Sequence, residues 1–145
     1  MIRACLAGAA IVLLLLALAG CAGDGSQIPE DMTGGGDDRI QPTLASIQAH
    51  VFTPICTECH VPGGPGPMPL TSEAVSYQSL VNAESIELPP MLRVSPGDSE
   101  ASYIVHKIEG RSTILGERMP LPPRPMLTAE QIAAIVEWID SGAAP

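Results

Sequence analysis

The chain has 145 residues, with 7 basic and 16 acidic side chains and a formal net charge of −9. This acidic balance disfavours nucleic acid and anionic lipid headgroups as partners. The sequence contains one Trp, two Tyr and one Phe, so it has little aromatic surface from which to build a core. A large apolar cofactor would make up for that shortage, and we expect a cofactor-free form to be poorly packed.

The first twenty residues predict an export signal. One basic residue, Arg3, precedes the uncharged, aliphatic run at residues 11–18, and the run ends in Leu18-Ala19-Gly20-Cys21. That ending resembles the lipobox of bacterial lipoproteins, in which the peptide is cut before the cysteine and the cysteine is lipidated. An uncleaved membrane anchor is the alternative, because residues 4–23 carry no charge and approach the ~20 residues that span a bilayer.

We therefore expect a signal peptide at residues 1–20, lipidation at Cys21 and a flexible tether at residues 21–39, where Gly, Ser and Asp recur without apolar periodicity. Cleavage removes Arg3 from the seven basic residues, which leaves 6 basic against 16 acidic residues and a charge of −10. The domain would be lipid-anchored on the periplasmic side of the cell envelope. Ala22 replaces the aspartate that retains enteric lipoproteins in the inner membrane, which favours the outer membrane.

Residues 40–145 predict a single all-α domain that begins with two helices. Apolar residues recur at helical spacing over residues 44–52, with a start at Pro42-Thr43 and a stop at Pro54. Ser72-Glu73 opens a second helix that continues to Val81. Strand signals are scarce, and the segment at residues 88–94 is expected to be extended.

Two further helices follow. The third is predicted to start near Asp98 or Ser99 and to end at Gly110 in the C′ position. The fourth is bounded most clearly, by a capping box of Thr128 with Gln131 and by Gly142 at its end. Its buried face is expected to consist of Ile132, Ile135, Val136 and Ile139.

The run Cys56-Thr57-Glu58-Cys59-His60 is the C-x-x-C-H signature of covalent haem attachment. Cys56 and Cys59 can form thioethers with the two vinyl groups of one haem c, and His60 is then the proximal iron ligand. Three alternatives are a structural disulfide, a redox dithiol and a zinc site. Zinc needs about four ligands, which His50 or His106 would have to complete.

Together the helices and the motif resemble class I cytochrome c, a family with a short helix leading into C-x-x-C-H, a methionine loop and a C-terminal helix that crosses the first. The resemblance covers nearly all of residues 40–145. It rests on the motif, on Arg118-Met119-Pro120 before the last helix, and on Phe52 at the family's aromatic position in the helix crossing. The Pro/Gly-rich run at residues 62–69 departs from the family pattern.

The resemblance implies that Met119 is the sixth ligand of the iron. Its proline-rich loop would present the thioether at low entropic cost. Met91 and His106 are the alternatives, whereas Met68 is too close to His60 to reach the opposite face. Met126 and His50 are expected to serve other roles, with His50 and His106 exposed on their helices.

Less specific expectations concern the surroundings of the haem. A backbone carbonyl from residues 62–69 would accept the proton on the second nitrogen of His60 and fix its orientation. Candidate partners for the haem propionates are the basic or hydroxyl side chains of Arg93, Lys107, Arg111, Arg118 and Tyr103.

These features predict a one-electron carrier of the cell envelope rather than an enzyme, because no nucleophile–base pair, paired-carboxylate site or phosphate loop is recognisable. Its partners would be redox proteins with a basic docking patch, which the acidic charge would attract. The alternatives are a haem-based sensor in which an incoming gas displaces Met119, an electron-transfer subunit of a larger oxidoreductase, and a structural lipoprotein without haem.

Overall fold

A computed structural model describes residues 39–145, and these form a small all-α domain without a β-sheet. Its four α-helices are α1 (Leu44–Ile47), α2 (Glu73–Leu80), α3 (Tyr103–Glu109) and α4 (Ala129–Asp140). The predicted all-α class is confirmed for this part of the chain. The expected signal peptide at residues 1–20, the lipidated Cys21 and the tether up to residue 38 lie outside the described residues. Between residues 39 and 145, no helix has the length and apolar character needed to span a bilayer.

The first helix passes through its proline, contrary to the predicted stop at Pro54. It starts as expected, with the Thr43 hydroxyl accepting a hydrogen bond from the Ser46 amide at 3.3 Å. After Ile47 the chain continues without a break as a π-helix, Gln48–Cys56, that contains Pro54. The first cysteine of the motif is therefore the last residue of a continuous helical segment.

The wider π-helical turn explains how Pro54 is tolerated. In an α-helix the proline ring clashes with the carbonyl four residues earlier and leaves that carbonyl without its usual donor. Here the hydrogen bonds reach five residues back, as in the 3.0 Å bond from the Thr57 amide to the Phe52 carbonyl. The carbonyl of His50, four residues before Pro54, also accepts a hydrogen bond at 3.2 Å from the Gln131 side chain on α4.

Helix α2 begins as predicted, but α3 begins later than its sequence suggests. The Ser72 hydroxyl caps α2 by accepting a hydrogen bond from the Val75 amide at 3.4 Å. Asp98 and Ser99 do not start α3, because tertiary contacts hold them in a turn. The Asp98 carboxylate accepts from the amide of Ala101 at 2.9 Å, and the Ser99 amide donates to Asp140 on α4 at 2.8 Å.

The ends of α3 and α4 follow the sequence closely. Gly110 ends α3 with φ of 74°, in the left-handed region that glycine adopts without strain. Thr128 and Gln131 form the predicted capping box at the start of α4, and Gly142 follows its end with φ of 107°. The buried side of α4 is centred on Ile135, Trp138 and Ile139, whereas the predicted Ile132 and Val136 are only partly buried.

One hydrophobic core joins these elements. Helix α1 contacts α2 and α4, and α3 contacts α4. Residues 88–94 are not extended throughout, contrary to the prediction, because they include a turn in which the Met91 amide donates to the Leu88 carbonyl at 2.9 Å. The region between α2 and α3 makes isolated bridges, including one between Val81 and Val94. The most deeply buried core side chains are Ile47, Val51, Phe52, Leu80, Val94, Val105, Ile135 and Ile139.

The capping box of α4 gives a direct test of its contribution to stability. We expect Thr128→Ala to lower the free energy of unfolding by about 1 kcal/mol, because the Gln131 amide loses its side-chain acceptor. Chemical denaturation with matched protein concentrations would measure the change. Thr71→Ala is the control, since Thr71 is exposed and its side chain makes no hydrogen bond within residues 39–145. Equal losses in the two variants would contradict the assigned role of the cap.

Candidate haem-binding cleft

The four residues predicted to hold haem and its iron line a single cleft. Cys56, Cys59, His60 and Met119 surround a space that we call the motif lobe. It adjoins a second space, the core lobe, and seven residues line both, including Cys56, His60 and Met119. The empty space in the lobes, including the part open to solvent, is about 800 Å³ and 780 Å³.

Apolar side chains from both halves of the domain form the walls of the core lobe. They come from the π-helix, from α3 and α4, and from the loops that precede these helices. The main apolar lining residues are Val51, Phe52, Leu70, Ile86, Ile104, Ile108, Leu127 and Ile135. Ile86 remains 65 % exposed although it lines the lobe, so part of this wall is open to solvent. A space of this kind suits a flat apolar molecule with a few fixed polar contacts.

The imidazole of His60 is held by the backbone that follows the motif. Its Nδ1 lies 3.0 Å from the carbonyl oxygen of Met68, and its own carbonyl accepts a hydrogen bond from the Leu70 amide at 2.8 Å. With the proton on Nδ1, the ring donates to Met68 and keeps a lone pair on Nε2 for a metal ion. The expectation that a carbonyl within residues 62–69 contacts His60 is confirmed.

The Pro/Gly-rich run that departs from the cytochrome pattern packs directly against this ring. A Cβ atom placed on Gly66 would lie 2.5 Å from Nδ1 of His60 and 2.8 Å from its Cγ, which leaves no room for a side chain. A Cβ atom placed on Gly64 would lie 2.5 Å from the Cys59 carbonyl oxygen. The Gly66 amide donates to that same carbonyl at 3.0 Å. Gly66 therefore allows the backbone to approach the His60 ring closely, and Gly64 allows it to approach the Cys59 carbonyl.

The two cysteines are free thiols in the described part of the chain. Burial in apolar surroundings raises the pKa of Cys56 to about 12, so its thiol is neutral near pH 7. A redox dithiol or a zinc site requires a thiolate, which this environment disfavours. Within residues 39–145, no group of three or more His, Cys, Asp or Glu side chains could hold a metal ion. The zinc and dithiol alternatives therefore gain no support from the geometry.

Met119 is positioned by the end of α3. Its amide donates to the carbonyl of Lys107 at 2.9 Å, and the neighbouring Arg118 side chain donates through Nε to the carbonyl of Ile108 at 2.7 Å. The Arg118 side chain also lies against Gly110, where an added Cβ would be 2.7 Å from its Cδ. These contacts hold the methionine segment along one wall of the cleft.

Met91 and His106, the alternative sixth ligands, do not line either lobe. His106 was expected to be exposed, but it is buried, with Nδ1 2.8 Å from the Thr113 hydroxyl and Nε2 2.8 Å from the Glu100 carbonyl. Both of its nitrogens are thus engaged away from the cleft. Met91 is half-buried elsewhere, and Met126 is exposed. Met68 does line the core lobe, but on the side where its carbonyl contacts His60.

Glu87 lines the cleft, although no sequence motif pointed to it. Its Oε2 accepts a hydrogen bond from the Tyr103 hydroxyl at 2.6 Å and pairs with Lys107 Nζ at 2.9 Å. Partial burial raises the pKa of Glu87, but the two hydrogen bonds and the charge of Lys107 outweigh it and leave the pKa below its ordinary value. The carboxylate is therefore ionised at neutral pH, and it lines both lobes.

The candidate partners for haem propionates divide into two groups. Arg93, Lys107 and Tyr103 line the core lobe, together with Glu87. Arg111 and Arg118 do not line either lobe, because Arg111 pairs with Glu100 and Glu109 beyond the end of α3 while Arg118 bonds the Ile108 carbonyl. Only the first three remain as candidates on the basis of position.

No protein-family model, curated protein or solved structure matches the chain. The chemistry of the cleft therefore has to be argued from its own residues. Two thiols, an oriented imidazole and a thioether meet at one mainly apolar space.

Gly66 provides a test of the close packing around His60. We expect Gly66→Ala to displace the imidazole and to lengthen the 3.0 Å contact between Nδ1 and the Met68 carbonyl, because the new methyl would overlap the ring. Overpacking of this kind typically lowers the free energy of unfolding by about 1–3 kcal/mol. Crystal structures of the variant and the parent would measure the contact.

Gly63→Ala is the matched control for this substitution. Gly63 lies in the same run with φ of 77°, and an added Cβ there would meet nothing within 4 Å. It should therefore lower stability through backbone strain alone and leave the His60 contact intact. An unchanged His60 contact in Gly66→Ala would show that the ring does not depend on this glycine.

Proposed function

We propose that this protein is a mono-haem c-type cytochrome that transfers single electrons in the cell envelope and is not an enzyme. The observation that carries the proposal is the convergence of Cys56, Cys59, His60 and Met119 on one apolar cleft. The motif alone supplies three of these residues close together. Met119 comes from a distant part of the chain, so its position on the same cleft is an independent point in favour.

The residues present fit a covalently bound haem. Cys56 and Cys59 would hold it through thioether bonds, while His60 and Met119 would provide the two axial ligands. Bound haem supplies an iron that alternates between the ferrous and ferric states. The hydrogen bond from His60 Nδ1 to the Met68 carbonyl would keep Nε2 available and the ring in a fixed orientation, which limits rearrangement between the two states.

The walls of the cleft would favour the ferrous state. The aliphatic and aromatic side chains that line the core lobe would disfavour the extra positive charge of ferric iron. A thioether ligand acts in the same direction, because it raises the potential relative to a second histidine. The ionised Glu87 works against both, although its charge is partly neutralised by Lys107 at 2.9 Å.

The negative net charge of the protein favours redox partners that present a basic surface. The expected mature chain carries 6 basic and 16 acidic residues, so its field would steer a basic redox protein toward encounter without requiring high affinity. A lipid on Cys21 would keep the domain at the membrane, where such partners are fixed. No nucleic acid is expected among them.

Covalent haem is tested by replacing the motif cysteines. In a host that matures c-type cytochromes, we expect the parent protein to carry the added mass of one haem, and Cys56→Ser with Cys59→Ser to carry none. Mass spectrometry and haem staining on a denaturing gel measure the attachment. Glu58→Gln, at a variable position inside the motif, is the control and should retain haem. A parent protein without added haem would remove the basis of the proposal.

The sixth ligand is tested by comparing two methionines. We expect Met119→Ala to lose the methionine–iron charge-transfer band and to bind carbon monoxide more tightly in the reduced state, because the iron then has a vacant position. Met91→Ala should keep the band, since Met91 does not line either lobe. Absorption spectra with and without carbon monoxide report both effects. Persistence of the band in Met119→Ala would refute the assignment.

A further inference from the structure

The motif and the methionine segment are joined by an ion pair. Glu58, inside the C-x-x-C-H motif, accepts a hydrogen bond from Nε of Arg124 at 2.5 Å, and its carboxylate forms an ion pair with Nη2 of the same side chain. The two residues are 66 positions apart in the sequence. Arg124 also lines the motif lobe, so the pair lies where the segment carrying Met119 meets the motif.

The other side of the same segment is attached to α3. The Met119 amide donates to the Lys107 carbonyl at 2.9 Å, and Arg118 donates to the Ile108 carbonyl at 2.7 Å. Between these bonds and Arg124, the side chains of Met119, Pro120 and Leu121 line the motif lobe. The segment thus forms one wall of the lobe, attached to α3 at one side and to the motif at the other.

We propose that Glu58 and Arg124 are positioning residues that hold Met119 in place as the sixth ligand and oppose its displacement by other ligands. This inference rests on the proposed function of the cleft. If the segment must release Glu58 before Met119 can leave the iron, the ion pair stabilises only the ligated arrangement. Only molecules in which the segment is released can then bind a competing ligand. The apparent association constant of that ligand is its intrinsic value multiplied by the released fraction.

Because the Glu58–Arg124 pair is partly exposed, breaking it should affect the position of Met119 without a large loss of domain stability. The Glu58 and Arg124 side chains are 57 % and 28 % exposed, and exposed pairs add little to the stability of a whole domain. Loss of the pair can still change, by a few fold, the equilibrium between molecules in which the Met119 segment is attached to the motif and molecules in which it is released. Such a pair also weakens in high salt, because the Debye length falls to about 3 Å at 1 M.

Imidazole titration of the ferric, haem-loaded protein tests the inference, with absorption spectra as the readout. We expect Glu58→Gln and Arg124→Gln each to raise the association constant of imidazole about two- to fivefold at low salt. The double variant should bind no more tightly than either single one, because both changes break the same pair. In 1 M salt the difference from the parent protein should disappear.

The direction in which Glu58→Gln and Arg124→Gln change the imidazole affinity distinguishes a positioning role from a direct electrostatic effect on the iron. Removing the negative charge of Glu58 and the positive charge of Arg124 would shift the potential at the iron in opposite directions. Loss of a shared contact should instead raise the imidazole affinity in both variants. The charge-reversed pair, Glu58→Arg with Arg124→Glu, should return the affinity toward the parent value. Opposite shifts in the single variants, or none, would overturn the inference.

Two controls keep this result distinct from a failure of the proposed function. Arg111→Gln removes the ion pairs with Glu100 and Glu109, which lie away from the cleft, and should leave imidazole binding unchanged. Met119→Ala should raise it far more than the pair variants do. If Met119→Ala has no effect, the sixth-ligand assignment fails. If it has a large effect while Glu58→Gln and Arg124→Gln have none, only the positioning role fails.

Discussion

The hydrogen bond between His60 Nδ1 and the Met68 carbonyl is the constraint on which the site depends. A carbonyl at 3.0 Å fixes both the proton and the plane of the ring, and the lone pair on Nε2 is then available on the opposite edge. The backbone can bring that carbonyl so close only because Gly66 carries no side chain against the ring. The Pro/Gly-rich run is therefore part of the site.

The remainder of the cleft is assembled by contacts between distant segments. Gln131 on α4 reaches the His50 carbonyl, which ties the last helix to the π-helix that ends at Cys56. The end of α3 supplies the carbonyls that hold Met119 and Arg118. Distant segments thus line the same cleft, and Arg124, which pairs with Glu58 of the motif, also lines the motif lobe. A domain with so few aromatic residues would gain apolar contact from a cofactor that filled this space.

Polar groups in the cleft are few, and those present have partners. Glu87 lies between Tyr103 and Lys107, and within residues 39–145 no buried side-chain nitrogen or oxygen lacks a hydrogen-bond partner. His106 shows the same principle away from the cleft, where a hydroxyl and a carbonyl satisfy both nitrogens. Burial of polar groups is costly unless they are paired, so this arrangement leaves the apolar walls free to exclude water.

The sequence by itself determined the helical class, the caps of α1, α2 and α4, the glycine ends and the C-x-x-C-H motif, because these depend on neighbouring residues and on a spacing of a few positions. Only the tertiary structure decided the passage of the first helix through Pro54, the late start of α3 and the burial of His106. The first two depend on partners far along the chain, Gln131 for His50 and Asp140 for Ser99. The third depends on how the turns on either side of α3 fold back, which brings the Glu100 carbonyl and the Thr113 hydroxyl to His106. The sequence did not predict the contacts of Glu87 and Arg124 for the same reason. Their partners are 16 residues away, for Tyr103 with Glu87, and 66 residues away, for Glu58 with Arg124, so they leave no local pattern.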